Sequence, residues 1–269
     1  MQYVSDDFKE CVDQNNLLQD VIRLDGVVYR EVENRKTIRF ECAGKGYFAK
    51  THLGVGWAEV LKNLLQLKLP VLGASNEWHA LKRLETLGID TMTPVAYTSE
   101  GVNPAKIQSC IVTRELENTI SLEDLWATAS VPIRLKRKLI NKLAITSKRL
   151  HENGVNHRDY YICHYLLDKK TIEDDSPTIY LIDLHRAQVR KTTPSRWKIK
   201  DVGGLFFSSF NIGLTRRDVF RFMKIYSGKS LRATLKEDKV FWQGTLARAK
   251  RLYLQDEAEL PKWVSSFSS

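Results

Sequence analysis

Apolar and polar positions alternate in three short runs between Val27 and Lys50, VVYREV, TIRFECA and YFAK. A period of two predicts strands, and AGKG (Ala43 to Gly46) supplies turn chemistry between the second and third. The period then changes. In GWAEVLKNLLQLKLP, Trp57, Val60, Leu61, Leu64 and Leu65 fall at i, i+3, i+4, i+7 and i+8, which predicts one helical face ended by Pro70, either packed on the sheet, the favoured reading, or turned to lipid. SNEWHALKRLETLG carries Trp78, Leu81, Leu84 and Leu87 between a Ser/Asn start and Gly88, a second bounded helix. Pro94 to Thr98 and Cys110 to Leu116 read as two more strands, for a five-stranded sheet, and SLEDLW places Ser121 and Asp124 at capping-box spacing.

Beyond the sheet the helical period dominates. IRLKRKLINKLAITSKRLHENG sets Leu135, Leu139 and Leu143 in one stripe and most of its cations elsewhere, either a solvated face or a polyanion-binding one. Helical signals return from about Lys198 to the end, with turns near Gly228 and Pro261. No internal repeat or low-complexity tract interrupts the order.

Composition narrows the class. With 269 residues, 43% hydrophobic and 28% charged, the chain can bury a core as one large domain or two packed lobes. Forty-two basic against thirty-two acidic side chains give a formal +10, which favours anionic partners without choosing among them. No apolar run approaches bilayer-spanning length, so membrane contact is expected to be peripheral. The cysteines Cys11, Cys42, Cys110 and Cys163 form no CxxC pair and no signal peptide is evident, so reduced thiols in the cytoplasm are expected.

The candidate chemistry lies in two stretches, NHRDYYICHYLLD (Asn156 to Asp168) and IYLIDLHR, which delivers Asp183 at a strand end. Phosphoryl transfer needs a cation on the nucleotide phosphates, a carboxylate for Mg²⁺ and a carboxylate that positions the attacking hydroxyl. Lys50, Asp183 and Asp159 supply these respectively, and along the chain Lys50, Asp159 and Asp183 follow the order that protein kinases use. Lys50 ends the strand YFAK, and Glu77, ahead of its competitor Glu85, is placed to pair with it from the next helix. His164 stands five residues after Asp159, where H-R-D-x-x-x-x-N has asparagine, and is a candidate metal ligand although Mg²⁺ prefers oxygen.

Other classes fit less well. The spacings of His151, His157, Cys163, His164 and His185 match no zinc signature, and no G-x-S-x-G elbow is present. Nucleic-acid binding has charge but no motif, so no nucleic-acid partner is expected.

GVGWAEVLKNLLQLKLPVLGASNEW, NHRDYYICHYLLD and LIDLHRAQVR resemble the bacterial lipopolysaccharide core heptose(I) kinases, within the wider lipopolysaccharide kinase family, over about Tyr29 to Phe222. The resemblance implies an α+β, protein-kinase-like bilobal fold: an N-lobe over 1–115 with a small antiparallel sheet and an insert at 57–70, and a mainly helical C-lobe over 116–269. The catalytic loop would be 156–167 and the metal-binding strand end 183–185. It implies ATP-dependent phosphorylation of the first heptose of the inner core, with ATP and Mg²⁺ as cofactors. Asp159 would be the catalytic aspartate, Asp183 the metal ligand and Lys50 the phosphate lysine. TRELEN would be the hinge, with backbone groups near Glu115 and Leu116 holding adenine.

Departures from the protein-kinase pattern have consequences. ENRKT, between the first two strands, has no glycine, so Arg35 and Lys36 are candidates to hold phosphate with side-chain charge instead. The chain between Asp183 and Lys198 holds no A-P-E and is short for a regulated activation loop, which disfavours the alternatives of a protein (tyrosine) kinase. A nucleotide-binding pseudokinase is the other alternative, and it requires a missing catalytic part. Asp201 reads equally as a brace for the catalytic loop or as an ordinary helix N-terminal aspartate. His52, Arg186 and Arg190 are candidates to grip sugar. The expected partners are lipid A-core at the anionic cytoplasmic face of the inner membrane and, through charge, a small acidic protein such as an acyl carrier protein.

Overall fold

The computed structural model describes residues 1–32, 34–65, 71–128, 130–257 and 259–265. The chain groups into two compact units: Met1–Arg83 with Met92–Leu116 and Leu184–Arg186, and Leu84–Thr91 with Glu117–Asp183 and Ala187–Ser269.

The first unit is built on β1 (Gln2–Val4), α1 (Leu17–Arg23), β2 (Val27–Val32), β3 (Arg35–Cys42), β4 (Lys45–Leu53), α2 (Gly56–Leu65), α3 (Ser75–Thr86), β5 (Pro94–Glu100) and β6 (Gln108–Arg114). Its antiparallel sheet has the order β1-β5-β6-β4-β3-β2. Six strands replace the expected five because Gln2 to Val4 pair with Ala96 to Thr98, and a three-residue strand is too short to show alternation. One sheet face contributes Ile38, Phe40, Tyr47, Ala49, Val95 and Val112 to a core closed by Phe8, Leu17, Leu18 and Val21 from the N-terminal segment.

Three further expectations change in this unit. Cys11 and Cys42 are disulfide-bonded across a separation of 31 residues, whereas Cys110 and Cys163 are free thiols. The packing of the N-terminal segment on the sheet core brings the first pair together, and no sequence spacing announces that. Lys50 does not end its strand: β4 runs on to Leu53. Among the described side chains of the α2 stripe, Val60 is buried at 4% exposure while Trp57, Leu61 and Leu65 are exposed, so packing on the sheet does not extend to those three. The end of that insert, at 66–70, lies outside the described residues.

The second unit holds β7 (Thr119–Ser121), α4 (Leu122–Thr128), α5 (Ile133–Glu152), β8 (Val155–Asn156), β9 (Tyr165–Asp168), β10 (Ile179–Leu181), β11 (Gln188–Val189), α6 (Ser195–Ser208), α7 (Arg216–Ser227), α8 (Leu231–Glu237), α9 (Lys239–Asp256) and α10 (Lys262–Ser265). α6 packs on α9 and α5 on α7. The α5 stripe of Leu135, Leu139 and Leu143 is buried as its spacing predicts. Its cations are largely engaged within the unit: Lys136 with Asp218 at 3.0 Å, Lys142 with Asp90 at 3.1 Å, and Arg149 with the Leu87 carbonyl. Small sheets β10-β9-β7 and β11-β8 frame the two motif stretches.

Candidate active site

In the sheet unit, Lys50 sits in β4 opposite Thr37 of β3 and Ile111 of β6. Strand alternation puts Lys50 on the face opposite the core residues Ala49 and Tyr47, together with His52 and its β3 neighbour Arg35. Lys36, paired with Thr51, belongs to the other face. Lys50 Nζ donates to Glu77 Oε1 at 2.6 Å. Glu77 lies in the first turn of α3 and is fully buried, and its second oxygen has no hydrogen-bond partner among the described residues. Such a carboxylate holds the lysine stem in one direction, because the ion pair is worth most in one geometry.

Around the pair, Arg35 donates to the Val71 carbonyl at 3.0 Å and lines a cavity of about 240 Å³ with Asn34, His52, Glu59 and Lys62. Burial, then the charges of Arg35, Lys50 and His185, lower the His52 pKa to about 4, so its ring is neutral at physiological pH. The Glu115 amide donates to the Gly46 carbonyl at 2.9 Å, and its carboxylate takes Arg39 Nη2 at 2.9 Å.

In the helical unit, α5 ends at Glu152 and Gly154 turns the chain at φ +78°, so close to the Arg190 carbonyl that no side chain fits. β8 then leads into His157, Arg158 and Asp159. His157 is fully buried, and burial depresses its pKa and keeps it neutral. As Nε2–H it donates to the Ile182 carbonyl at 2.9 Å. The Ile182 amide in turn donates to the His164 carbonyl at 3.0 Å. Both backbone polar groups of Ile182, the residue before Asp183, are therefore tied to the HRD loop.

His164 completes that tie. Nδ1–H donates to the Asp159 carbonyl at 2.7 Å, and Nε2 lies 3.5 Å from Asp183 Oδ2. Burial lowers the imidazole pKa, but bonds to Cys163 and to the Asp159 carbonyl, with the Asp183 charge, outweigh it and bring the value up to about 9. Arg158 and Asp183 adopt left-handed backbone, φ +76° and +60°. Non-glycine residues hold such angles only where their surroundings over-determine them, and they cluster at functional sites.

Asp201 supplies much of that constraint for Arg158. It lies within α6 at 1% exposure, and its oxygens accept the amides of His157 at 2.7 Å and Arg158 at 2.9 Å, and His151 Nε2 at 3.3 Å. Of the two readings the sequence left open, it braces the loop. His151 entered the sequence reading only within the rejected zinc grouping, and Trp197, whose ring lies 5.5 Å from the Arg158 guanidinium, did not enter it. Only the basic residues near Trp197 in KTTPSRWKIK hinted at it.

Among the described residues no group of three or more His, Cys, Asp or Glu is arranged to hold a metal by itself. An Asp183 carboxylate that is one-third exposed fits Mg²⁺ instead, a hard cation that keeps water and substrate phosphate oxygens in its shell.

Comparison with known proteins bears on this geometry. The model of the lipopolysaccharide kinase (Kdo/WaaP) family matches residues 19–226. The chain belongs to this family. It is a kinase with the family's α+β, protein-kinase-like fold. It is 48% identical over 237 residues to the lipopolysaccharide core heptose(I) kinase WaaP of Escherichia coli K12, covering 87% of this chain and 89% of that one. It is 46% identical over 250 residues to the same enzyme of Pseudomonas aeruginosa PAO1, covering 91% and 93%. A solved structure of WaaP in complex with acyl carrier protein is 39% identical, with a TM-score of 0.80 over 94% of this chain and 99% of that one.

Proposed function

We propose that this member of the lipopolysaccharide kinase family transfers the γ-phosphate of ATP to a hydroxyl of the first heptose of the lipopolysaccharide inner core. The observation that carries the reading is the tie of Ile182 and Asp183 to the HRD loop, through His157 and His164 respectively, in a chain 46–48% identical to heptose(I) kinases. Asp159 orients the heptose hydroxyl and takes its proton as the new oxygen–phosphorus bond forms and the bond to the β-phosphate oxygen breaks, releasing ADP. Lys50, aimed by Glu77, holds nucleotide phosphate, with Arg35 on the same sheet face as a further phosphate candidate, whereas Lys36 leaves the opposite face and is set aside. Adenine is offered the Glu115 carbonyl and Leu116, because the Glu115 amide is engaged with Gly46.

Asp183 would hold Mg²⁺, which neutralises phosphate charge when bound. His164 is assigned the orientation of Asp183, because its Nδ1–H is engaged with the Asp159 carbonyl and its Nε2 lies 3.5 Å from Asp183 Oδ2, while Mg²⁺ prefers the oxygen ligand. Incubation with Mg-ATP and a heptosylated lipid A-core acceptor is expected to add the mass of one phosphate to the acceptor glycan, read by mass spectrometry. Phosphate appearing on protein and none on glycan would reject the reading.

Among the described residues no helix is long and apolar enough to cross a membrane. The acceptor is an amphiphile, and the exposed Trp57, Leu61 and Leu65 of α2, beside Lys62, suit contact with the inner face of the inner membrane. The double variant Trp57→Asp/Leu61→Asp is expected to bind anionic phospholipid vesicles about tenfold or more weakly in co-sedimentation, at an unchanged melting temperature, because each exposed side chain loses its transfer to lipid. Equal sedimentation of the two proteins would place the membrane contact elsewhere. The relative solved with acyl carrier protein, together with the formal +10 charge, supports a similar acidic partner for this chain.

A further inference from the structure

Cations from separate segments gather around one ring in the helical unit. Trp197 lies in the first turn of α6. Its ring lies 5.5 Å from the Arg158 guanidinium, 5.6 Å from that of Arg190, 5.4 Å from that of Arg196 and 4.4 Å from the Lys200 ammonium. Cation–π attraction holds charges at such distances. Burial, then the charges of Arg248, Arg158, Arg196 and Arg251, pull the Lys200 pKa below its ordinary value, which brings two further arginines from α9 into the same neighbourhood.

This charge is not balanced from within. Among the described residues no carboxylate pairs with Arg190, Arg196, Lys200, Arg248 or Arg251. The Arg190 guanidinium is held by the neutral amide oxygens of Asn156 and Gln188. Asp201, next to Lys200 in the chain, turns its oxygens to the His157 and Arg158 amides and to His151. Two buried donors, Trp197 Nε1 and Arg248 Nε, have no hydrogen-bond partner among the described residues. α5 shows the contrast, since its cations mostly have acceptors on neighbouring elements.

We infer that the cluster around Trp197, formed by Arg158, Arg190, Arg196, Lys200 and Arg248, binds an anionic substituent, a carboxylate or a phosphate, of the acceptor glycan. The inference rests on the proposed sugar-kinase function and adds a specificity site to it. Location favours the acceptor over other anions. Arg158 immediately precedes Asp159, one Cα step of about 3.8 Å, and Arg190 is bonded to Asn156 at the start of the same loop. An anion seated there anchors the sugar beside the one whose hydroxyl Asp159 orients. The arginine forks match the paired oxygens of carboxylate and phosphate.

The test uses the full chain and the variant Arg196→Gln/Lys200→Gln, because both side chains are exposed and their loss leaves the core intact. In steady-state phosphorylation of heptosylated lipid A-core, the variant is expected to raise the acceptor KM about tenfold or more, the scale of losing charge-assisted bonds. kcat and the ATP KM should stay within about twofold, since neither residue is placed on the nucleotide. An unchanged acceptor KM, or an equal rise for ATP, overturns the inference. Loss of acyl carrier protein binding with an unchanged acceptor KM also overturns it, making the cluster a protein-docking face.

Direct binding separates this site from the function. Tryptophan fluorescence of the wild type, against Trp197→Phe and against the double variant, is titrated with D-galacturonate and with inorganic phosphate. A saturable change confined to the wild type supports the site even if no glycan is phosphorylated, and the effective titrant says whether carboxylate or phosphate is preferred. No such change with either titrant overturns it even in an active kinase.

Discussion

Asp159→Asn is expected to lower kcat for phosphate transfer to the glycan by about 10³-fold, within the range that general-base catalysis contributes, while the melting temperature and the ATP KM stay close to wild type. The separation follows from which atoms of Asp159 do what. Its carbonyl accepts His164 Nδ1–H, and that bond survives substitution of the side chain. The carboxylate alone can take the hydroxyl proton. Asparagine keeps the shape and can still orient the hydroxyl, so the residual rate reports positioning and electrostatics without the base. Single-turnover transfer with saturating ATP is the measurement. Wild-type rates from the variant would remove Asp159 from the chemistry, and with it the assignment of the loop.

The second large effect is on stability. Asp201→Ala removes the acceptor of two backbone amides and of His151 Nε2 from a position at 1% exposure. A buried donor left without a partner costs about 1–3 kcal/mol. Two such amides, and a strained Arg158 no longer held at φ +76°, lead to an expected loss of about 3–5 kcal/mol in urea denaturation. Activity should fall with it even at temperatures where the variant is folded, because the loop that carries Asp159 is released. Asp201→Asn keeps one oxygen acceptor and should lose less. Hydrogen exchange distinguishes this from a general weakening: the His157 and Arg158 amides should lose protection well before those in the sheet unit. Uniform change across both units would contradict a local brace.

Legibility in the sequence followed the range of the interaction. Period-two runs showed β2, β3 and β4 because alternation is written residue by residue, and the α5 stripe appeared for the same reason at period 3.6. The three residues of β1 carried too little pattern and became a strand only by pairing with β5. Lys50 and Glu77 could be proposed as partners from their elements, yet their 2.6 Å contact depends on how α3 is laid against β4. For α2 the periodicity was legible and its use was not. A stripe says which residues share a face, and Val60 packs while Trp57, Leu61 and Leu65 remain at the surface.

What the sequence determined by itself is the order of local elements and the chemical parts within them: a lysine strand, the HRD loop and an aspartate at a strand end, in the order of a phosphotransferase. Local propensity, periodicity and motif spacing act over a few residues, so they are readable without a fold. The tertiary structure decided what those parts touch. It turned Asp201 from an ambiguous helix residue into the acceptor of the loop amides, made His164 a link between Asp159 and Asp183, and joined Cys11 to Cys42. It also drew Arg158, Arg190, Arg196 and Lys200 from separate segments around Trp197. Each of these depends on the direction in which a side chain leaves its element and on which element lies opposite, and neither is encoded in spacing along the chain.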